Sequence, residues 1–236
     1  MSTAHDARPP AVARIDLLRE RIAEVERRIE AAARRAGRDR SEITLIAVTK
    51  TFPPSLIREA YDAGLRVFGE NYVQEFEQKR PELEDLTEAR FHFIGHLQSN
   101  KARRAVQLFD AIETVDSAKL ARRLDAAAGR ELEIMIEVKL SAEESKSGAA
   151  PEDLPALIDA IRECPNLRLT GLMTMPPWSE DPEQSRPYFR RLRELAERFN
   201  LPKLSMGMSH DLEVAIEEGA THVRVGTALF GSRTRA

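Results

Sequence analysis

Seven lysines stand among 29 arginines in this chain of 236 residues. One of them, Lys50, closes the apolar run Ile43-Thr-Leu-Ile-Ala-Val-Thr49. A β-branched run of this kind reads as a buried strand, which delivers the Lys50 side chain at its C-terminal end. Burial disfavours an ammonium and lowers a lysine's pKa, making the amine a nucleophile toward carbonyl groups. Arginine cannot take that role, because it stays protonated. A lysine at a strand end can equally pair with a neighbouring carboxylate, and position alone leaves both roles open.

A second constellation lies near the C-terminus, in Leu204-Ser-Met-Gly-Met-Ser209 and Thr221-His-Val-Arg-Val-Gly-Thr227. Gly207 lets a backbone approach closely, Ser209 offers a hydroxyl and a helix N-cap, and Gly226-Thr227 adds an amide and a second hydroxyl. Amides and hydroxyls at helix starts suit an anion. Each stretch alone also reads as an ordinary helix cap; the two together read as a phosphate site. Arg224 precedes Gly226 by two residues and shares its face of a strand. Facing inward it would lie beneath a ligand; facing outward it would pair with helix carboxylates. His222 is on the same face, so alternation by itself does not decide.

Other reactive types carry less. His92 and His96 fall on a strand and its exit loop, where a four-residue spacing does not present two metal ligands as a helix would. Cys164 has no CxxC partner and reads as a buried structural thiol. The Arg103-Arg104, Arg122-Arg123 and Arg190-Arg191 pairs read as solvated helix faces. No metal site emerges.

The elements that must position these residues are set by periodicity. Residues 1–10, with Pro9 and Pro10, read as a flexible lead-in. From Ala11 to about Ala36, Ile15, Leu18, Ile22, Val25 and Ile29 make one apolar stripe on a charged helix that stops at Gly37. The stripe is too short for a coiled coil and is expected to pack on the domain C-terminal to it. Strands are expected at Ile43–Thr49, Arg66–Gly69, Phe91–Gly95, Ala111–Val115, Leu132–Val138, Leu167–Met173, Lys203–Met206 and His222–Gly226, with helical segments between them. Strands apolar on both faces suit a parallel sheet covered by helices. Eight such units in this length favour a single closed (β/α)8 barrel with an extra N-terminal helix, residues 11–236 forming one domain. The dinucleotide fingerprint G-x-G-x-x-G is absent after the first strand. In such a barrel the active site lies at the C-terminal strand ends, and phosphate is often bound after strands seven and eight. The loops at Glu143–Pro151 and Pro176–Pro182 are the most irregular.

Composition narrows the partners. With 36 basic and 39 acidic residues the net charge is -3, which supplies no field to gather a nucleic acid. One cysteine excludes an internal disulfide framework and fits a reducing compartment. No apolar run reaches the roughly 18 residues of a membrane span. A cytoplasmic protein is expected.

Seven motifs then converge on one resemblance: Ala47-Val-Thr-Lys50, Phe68-Gly-Glu-Asn-Tyr-Val-Gln-Glu75, Phe93-Ile-Gly-His-Leu-Gln-Ser-Asn-Lys101, Ser145-Lys-Ser-Gly148, Gly171-Leu-Met-Thr174, Leu204-Ser-Met-Gly-Met-Ser209 and Val223-Arg-Val-Gly-Thr-Ala-Leu-Phe-Gly231. Over residues 11–232 the chain resembles the pyridoxal phosphate homeostasis proteins, relatives of the N-terminal barrel of alanine racemase. The resemblance implies that Lys50 forms the internal aldimine with pyridoxal 5′-phosphate. By the same resemblance Ser209, Gly226 and Thr227 are its phosphate ligands, Arg224 faces the pyridine nitrogen, and Asn71 lies near the cofactor. Lys146 matches a lysine in that family treated as a secondary aldehyde-reactive position, and reads here as a loop lysine. His210 departs from the acidic or small polar residue frequent there.

Two functions of different class are then in play. One is a carrier that holds, buffers and delivers the cofactor without substrate turnover, making transient contacts with apo enzymes. The other is an amino-acid racemase of the same barrel type, which needs a second acid/base on the opposite ring face. In alanine racemase that tyrosine comes from an additional β domain. With the chain ending at Ala236, such a domain is not expected here, so the carrier and a monomer are the expectation. A Schiff-base aldolase would account for Lys50 and the phosphate site but not for the motifs.

Overall fold

The structure is a computed structural model, described for residues 11–141 and 147–231. The lead-in at residues 1–10 and Lys146, both singled out from the sequence, lie outside the described residues. Eight strands run in parallel: β1 Thr44–Val48, β2 Val67–Glu70, β3 Arg90–Phe93, β4 Ala111–Val115, β5 Leu132–Glu137, β6 Leu167–Met173, β7 Lys203–Met208 and β8 His222–Val225. They pair in chain order, and β8 closes on β1 with Ile46 opposite Arg224, so the sheet is a closed barrel.

The helices lie where the 3.6-residue pattern puts them: α1 Ala11–Arg35, α2 Pro54–Asp62, α3 Val73–Lys79, α4 Ala102–Leu108, α5 Ala118–Ala127, α6 Leu154–Arg162, α7 Arg186–Arg198 and α8 Leu212–Glu217, with a short α9 Thr227–Phe230 after the last strand. Short 3-10 turns lead into α4, α6 and α7 and follow α3. The main apolar layer fills the space between sheet and helices. It includes an aromatic cluster, with the Phe76 ring centroid 4.7 Å from that of Phe91 and 4.9 Å from that of Phe109.

Helix α1 ends as its sequence dictates. Gly37, at φ +66°, donates its N–H to Arg34 C=O while Arg38 N–H reaches Ala33 C=O, a Schellman closure. Leu18, Val25 and Ile29 of its stripe are buried, and the helix packs on α8 and α9. It therefore lies behind the loops that follow β7 and β8. Cys164 is buried after α6, its Sγ directed at Ala160 C=O.

Inside the barrel the lining is unusually polar. Ser205 of β7 donates to Glu113 Oε2 of β4 at 2.5 Å. These strands are not neighbours, so the bond can only cross the interior. Glu113 is bound on its other oxygen by His92 Nδ1 of β3 at 2.6 Å. Burial would raise the Glu113 pKa, but the His92 bond and the nearby His92, His222 and Arg224 outweigh it and hold it at about 2. His222, at the opposite end of β8 from the loops of interest, is pushed down to about 4 by burial.

Candidate functional site

Lys50 is the second residue of a turn closed by Phe52 N–H donating to Thr49 C=O at 3.1 Å. The third residue, Thr51, has φ +66°, a left-handed conformation costly for a β-branched side chain. Half-buried Lys50 lines a cavity of about 460 Å³ at the C-terminal ends of the strands. Ser209, Arg224, Gly226 and Thr227 line the same cavity, with Phe52, Met208, Trp178 and His210 around them. The volume falls in the range of small-molecule sites.

The phosphate-type loop is built by a bulge. Ser205 pairs with His222 and Met208 with Arg224, so β7 carries one residue more than β8 across this stretch. Gly207 absorbs it at φ +89°, and a Cβ there would come 2.4 Å from Ala215 Cβ. This bulge carries β7 two residues past the Met206 end expected from sequence. Beyond it, Met208 N–H donates to Asp211 Oδ1 at 2.7 Å, and Asp211 Oδ2 accepts Ser185 Oγ–H at 2.8 Å. Asp211, not Ser209, occupies the N-cap position of α8. Instead the Ser209 hydroxyl accepts Ala228 N–H of α9 at 3.2 Å, joining the two loops. The sequence expectation of an N-capping Ser209 is thereby corrected: beyond the bulge its hydroxyl is directed at α9. Arg28 of α1 braces the loop from behind, donating to Ser209 C=O at 2.9 Å and to both carboxylate oxygens of Glu213.

Arg224 faces inward. It is 3% exposed and donates to Ser205 Oγ at 2.7 Å and Thr174 C=O at 2.9 Å. Burial lowers its pKa, and Glu113, Glu137 and Asp211 pull it back up; a guanidinium in that company stays cationic. Its planar head thus forms a fixed positive floor to the cavity. Glu137, at the end of β5, is buried and pushed up to about 7, with Arg224 opposing and Asp116 reinforcing the shift.

Asn71 follows β2 directly and is not among the residues that line the cavity. A Cβ on Gly95 would come 2.3 Å from Asn71 C=O, so only glycine at the exit of β3 admits the Asn71 backbone there. Asn71 Oδ1 is buried without a hydrogen-bond donor among the described residues, the state of an acceptor awaiting a ligand or water. At the next two strand exits His96 Nδ1 and Asp116 Oδ2 lie 3.8 Å apart.

Sequence reading missed three contributors. Trp178, 73% exposed, lies over the rim with its ring 6.3 Å from His210, and His210 bonds Glu180 C=O at 2.9 Å. His210 therefore ties the 174–181 loop to the start of α8. Arg28 carried no signal beyond one more arginine on a charged helix. Ser205 could have been found, since it lies on β7, the strand beside the one that carries Arg224.

An amine just after the first strand, hydroxyls after the seventh and eighth, and an arginine floor define a class. Residues 21–234 match the family model described as alanine racemase, N-terminal domain. The chain belongs to the pyridoxal phosphate homeostasis proteins within it: it is 51% identical over 219 residues to the protein of that name from Pseudomonas aeruginosa, covering 91% of this chain and 95% of that one. The Aquifex aeolicus protein of the same name is 47% identical over 223 residues, with 91% and 97% covered. PipY of Synechococcus elongatus, solved with PLP bound, superimposes with a TM-score of 0.79 at 41% identity, over 91% of this chain and 100% of that one. Alanine racemase from Corynebacterium glutamicum, at 18% identity and TM-score 0.69, shares the fold; this chain covers 62% of it.

Proposed function

We propose that the protein binds pyridoxal 5′-phosphate at the barrel mouth and holds and hands on the cofactor without turning over a substrate of its own. Lys50 offers the amine, Ser209, Gly226 and Thr227 the phosphate contacts, Arg224 the group at the pyridine nitrogen, and Asn71 an acceptor beside it. The observation that carries this reading is the convergence of five of these six residues on one cavity floored by a buried arginine. The residues suit the group: a primary amine at a strand end, two hydroxyls beside a short helix start, a fixed cation beneath, and an orphaned acceptor just past the second strand. When bound, the cofactor supplies an aldehyde and a conjugated ring that can act as an electron sink. Arg224, unable to accept a proton and permanently cationic, disfavours protonation of a ring nitrogen facing it and so weakens that sink. Racemisation would also need an acid/base on the opposite ring face. Tyr72, nearest in sequence to Asn71, is 53% exposed at the start of α3, which supports binding over turnover.

The proposal extends to a cytoplasmic monomer, residues 11–236 acting as one cofactor-binding unit that meets apo enzymes transiently. Large apolar side chains exposed among the described residues are few, Leu17, Tyr72, Met175 and Trp178, unlike the apolar face of an obligate dimer. The single buried cysteine fits a reducing compartment. No described helix is long and apolar enough to cross a membrane.

Borohydride reduction of the cofactor-loaded protein, followed by peptide mapping, is expected to place the label on Lys50 and to place none there in Lys50→Ala. A label on Lys146 alone, or no visible absorption band at all, would overturn the site. Incubation with a panel of L-amino acids is expected to yield no D-isomer; efficient racemisation lost in Lys50→Ala would replace the carrier by an enzyme.

A further inference from the structure

The turn that presents Lys50 is held from behind by a buried cluster that the cofactor site does not use. Lys79, the last residue of α3, is 6% exposed. Its Nζ donates to Thr49 C=O at 3.0 Å and to Glu70 Oε1 at 2.9 Å, and lies 2.5 Å from Glu75 Oε1. Glu70, the last residue of β2, also accepts Thr49 Oγ1–H at 2.8 Å. Glu75, in the first turn of α3, accepts Thr51 N–H at 2.6 Å. The residue before Lys50 is thus pinned by its carbonyl and hydroxyl, and the residue after it by its amide. That second residue is the strained Thr51 at φ +66°, a conformation that persists only where its surroundings over-determine it.

We infer that Lys79, Glu70 and Glu75 form a clamp that positions Lys50, with Glu75 holding the strained Thr51 and Lys79 joining both carboxylates to the strand end. The inference rests on the cofactor reading of Lys50. Lys79 suits this work where arginine would not: a compact ammonium donates to Thr49 C=O and Glu70 and pairs with Glu75 around a single point, whereas a guanidinium spreads its donors over a planar fork. A buried ion cluster is costly to assemble and fixes geometry more than it stabilises, which is what a turn aiming one reactive amine requires. Lys79, hydrogen-bonded to Thr49 and Glu70, paired with Glu75 and enclosed, is a positioning residue and not a competitor for the aldehyde.

The decisive variant is Glu75→Ala, which frees the Thr51 amide while leaving Lys79 paired with Glu70; Lys79→Met, which strands two carboxylates, is the harsher companion. Two readouts are needed: hydrogen exchange of the Thr51 amide in cofactor-free protein, and the rate at which pyridoxal 5′-phosphate becomes borohydride-fixable at Lys50. Glu75→Ala is expected to speed Thr51 exchange at least about tenfold and to slow attachment about ten- to a hundredfold, the scale on which small misplacement of a reacting group acts. Glu75→Gln, which keeps a carbonyl acceptor, is expected to restore most of both. Wild-type exchange and attachment in Glu75→Ala overturn the clamp. So does a loss of protection spread evenly over all of α3, which would make the cluster a plain structural tie. If the wild-type protein takes no label at Lys50, the cofactor reading falls, while Thr51 exchange still decides whether the clamp holds the turn.

Discussion

At the scale of single residues, the interior charge arrangement sets the strongest expectations. Arg224 is buried between Ser205, Thr174 and the carboxylates of Glu113 and Glu137. Arg224→Leu removes the cation and strands those partners, and should cost about 3 kcal/mol in urea unfolding. Glu137 titrates in the opposite sense to a paired acid. Burial raises its carboxyl from 4.5 to about 7, so the folded state binds the proton more tightly than the unfolded chain. Its contribution is therefore fully present below pH 4.5 and is lost as pH rises through about 7. Glu137→Gln keeps the neutral shape at every pH. Relative to wild type it should gain up to about 3 kcal/mol of stability between pH 5 and pH 8, read from urea melts at the two values. A stability difference that does not change with pH would show that Glu137 is not held neutral.

At the scale of elements, the site depends on one bulge and one outlying helix. The extra residue in β7 at Gly207 turns the Ser209 hydroxyl toward α9. Gly207→Ala must adopt φ +89° and place its Cβ 2.4 Å from Ala215 Cβ. It should lose about 2–3 kcal/mol and bind the cofactor more weakly through the displaced Ser209. Helix α1 contributes through Arg28, whose guanidinium bonds Ser209 C=O and Glu213. Arg28→Ala should cost about 2 kcal/mol and speed cofactor release in stopped-flow absorbance. Unchanged release would mean that α1 braces the fold without steadying the loop.

At the scale of the whole molecule, the barrel gathers residues from strands far apart in sequence around one mouth, and binding there should be felt globally. Trp178 is the sole tryptophan and lies on the rim of the cavity. Adding pyridoxal 5′-phosphate should quench its fluorescence in wild type, reversibly and in proportion to site occupancy. The same addition should raise the unfolding midpoint by mass action, about 3 kcal/mol at a hundred times Kd, and less in Lys50→Ala. An unquenched Trp178 in protein that carries the label on Lys50 would place the 174–181 loop away from the mouth.

The chain's own pattern determined the barrel, because strand and helix periodicities are local and each hydrophobic face announces its layer. Lys50, Ser209, Gly226 and Thr227 were legible for the same reason: they stand at strand ends, where a barrel puts its chemistry, and they fall in recognisable motifs. The orientation of Arg224 was not legible, since His222 shares its face and the choice between inside and outside depends on what fills the interior. That choice was made by Ser205 of β7 and Thr174 just past the end of β6. Nor could periodicity reveal the Gly207 bulge, which changes register by one residue and moves Ser209 from a cap to a cross-loop contact. The brace from Arg28 and the cluster around Lys79 join residues 181 and 30 positions apart, and such pairings arise only when the fold packs separate segments together. The scarcity of lysine gains a second meaning from them: one lysine offers a reactive amine, and another, buried behind it, holds its turn.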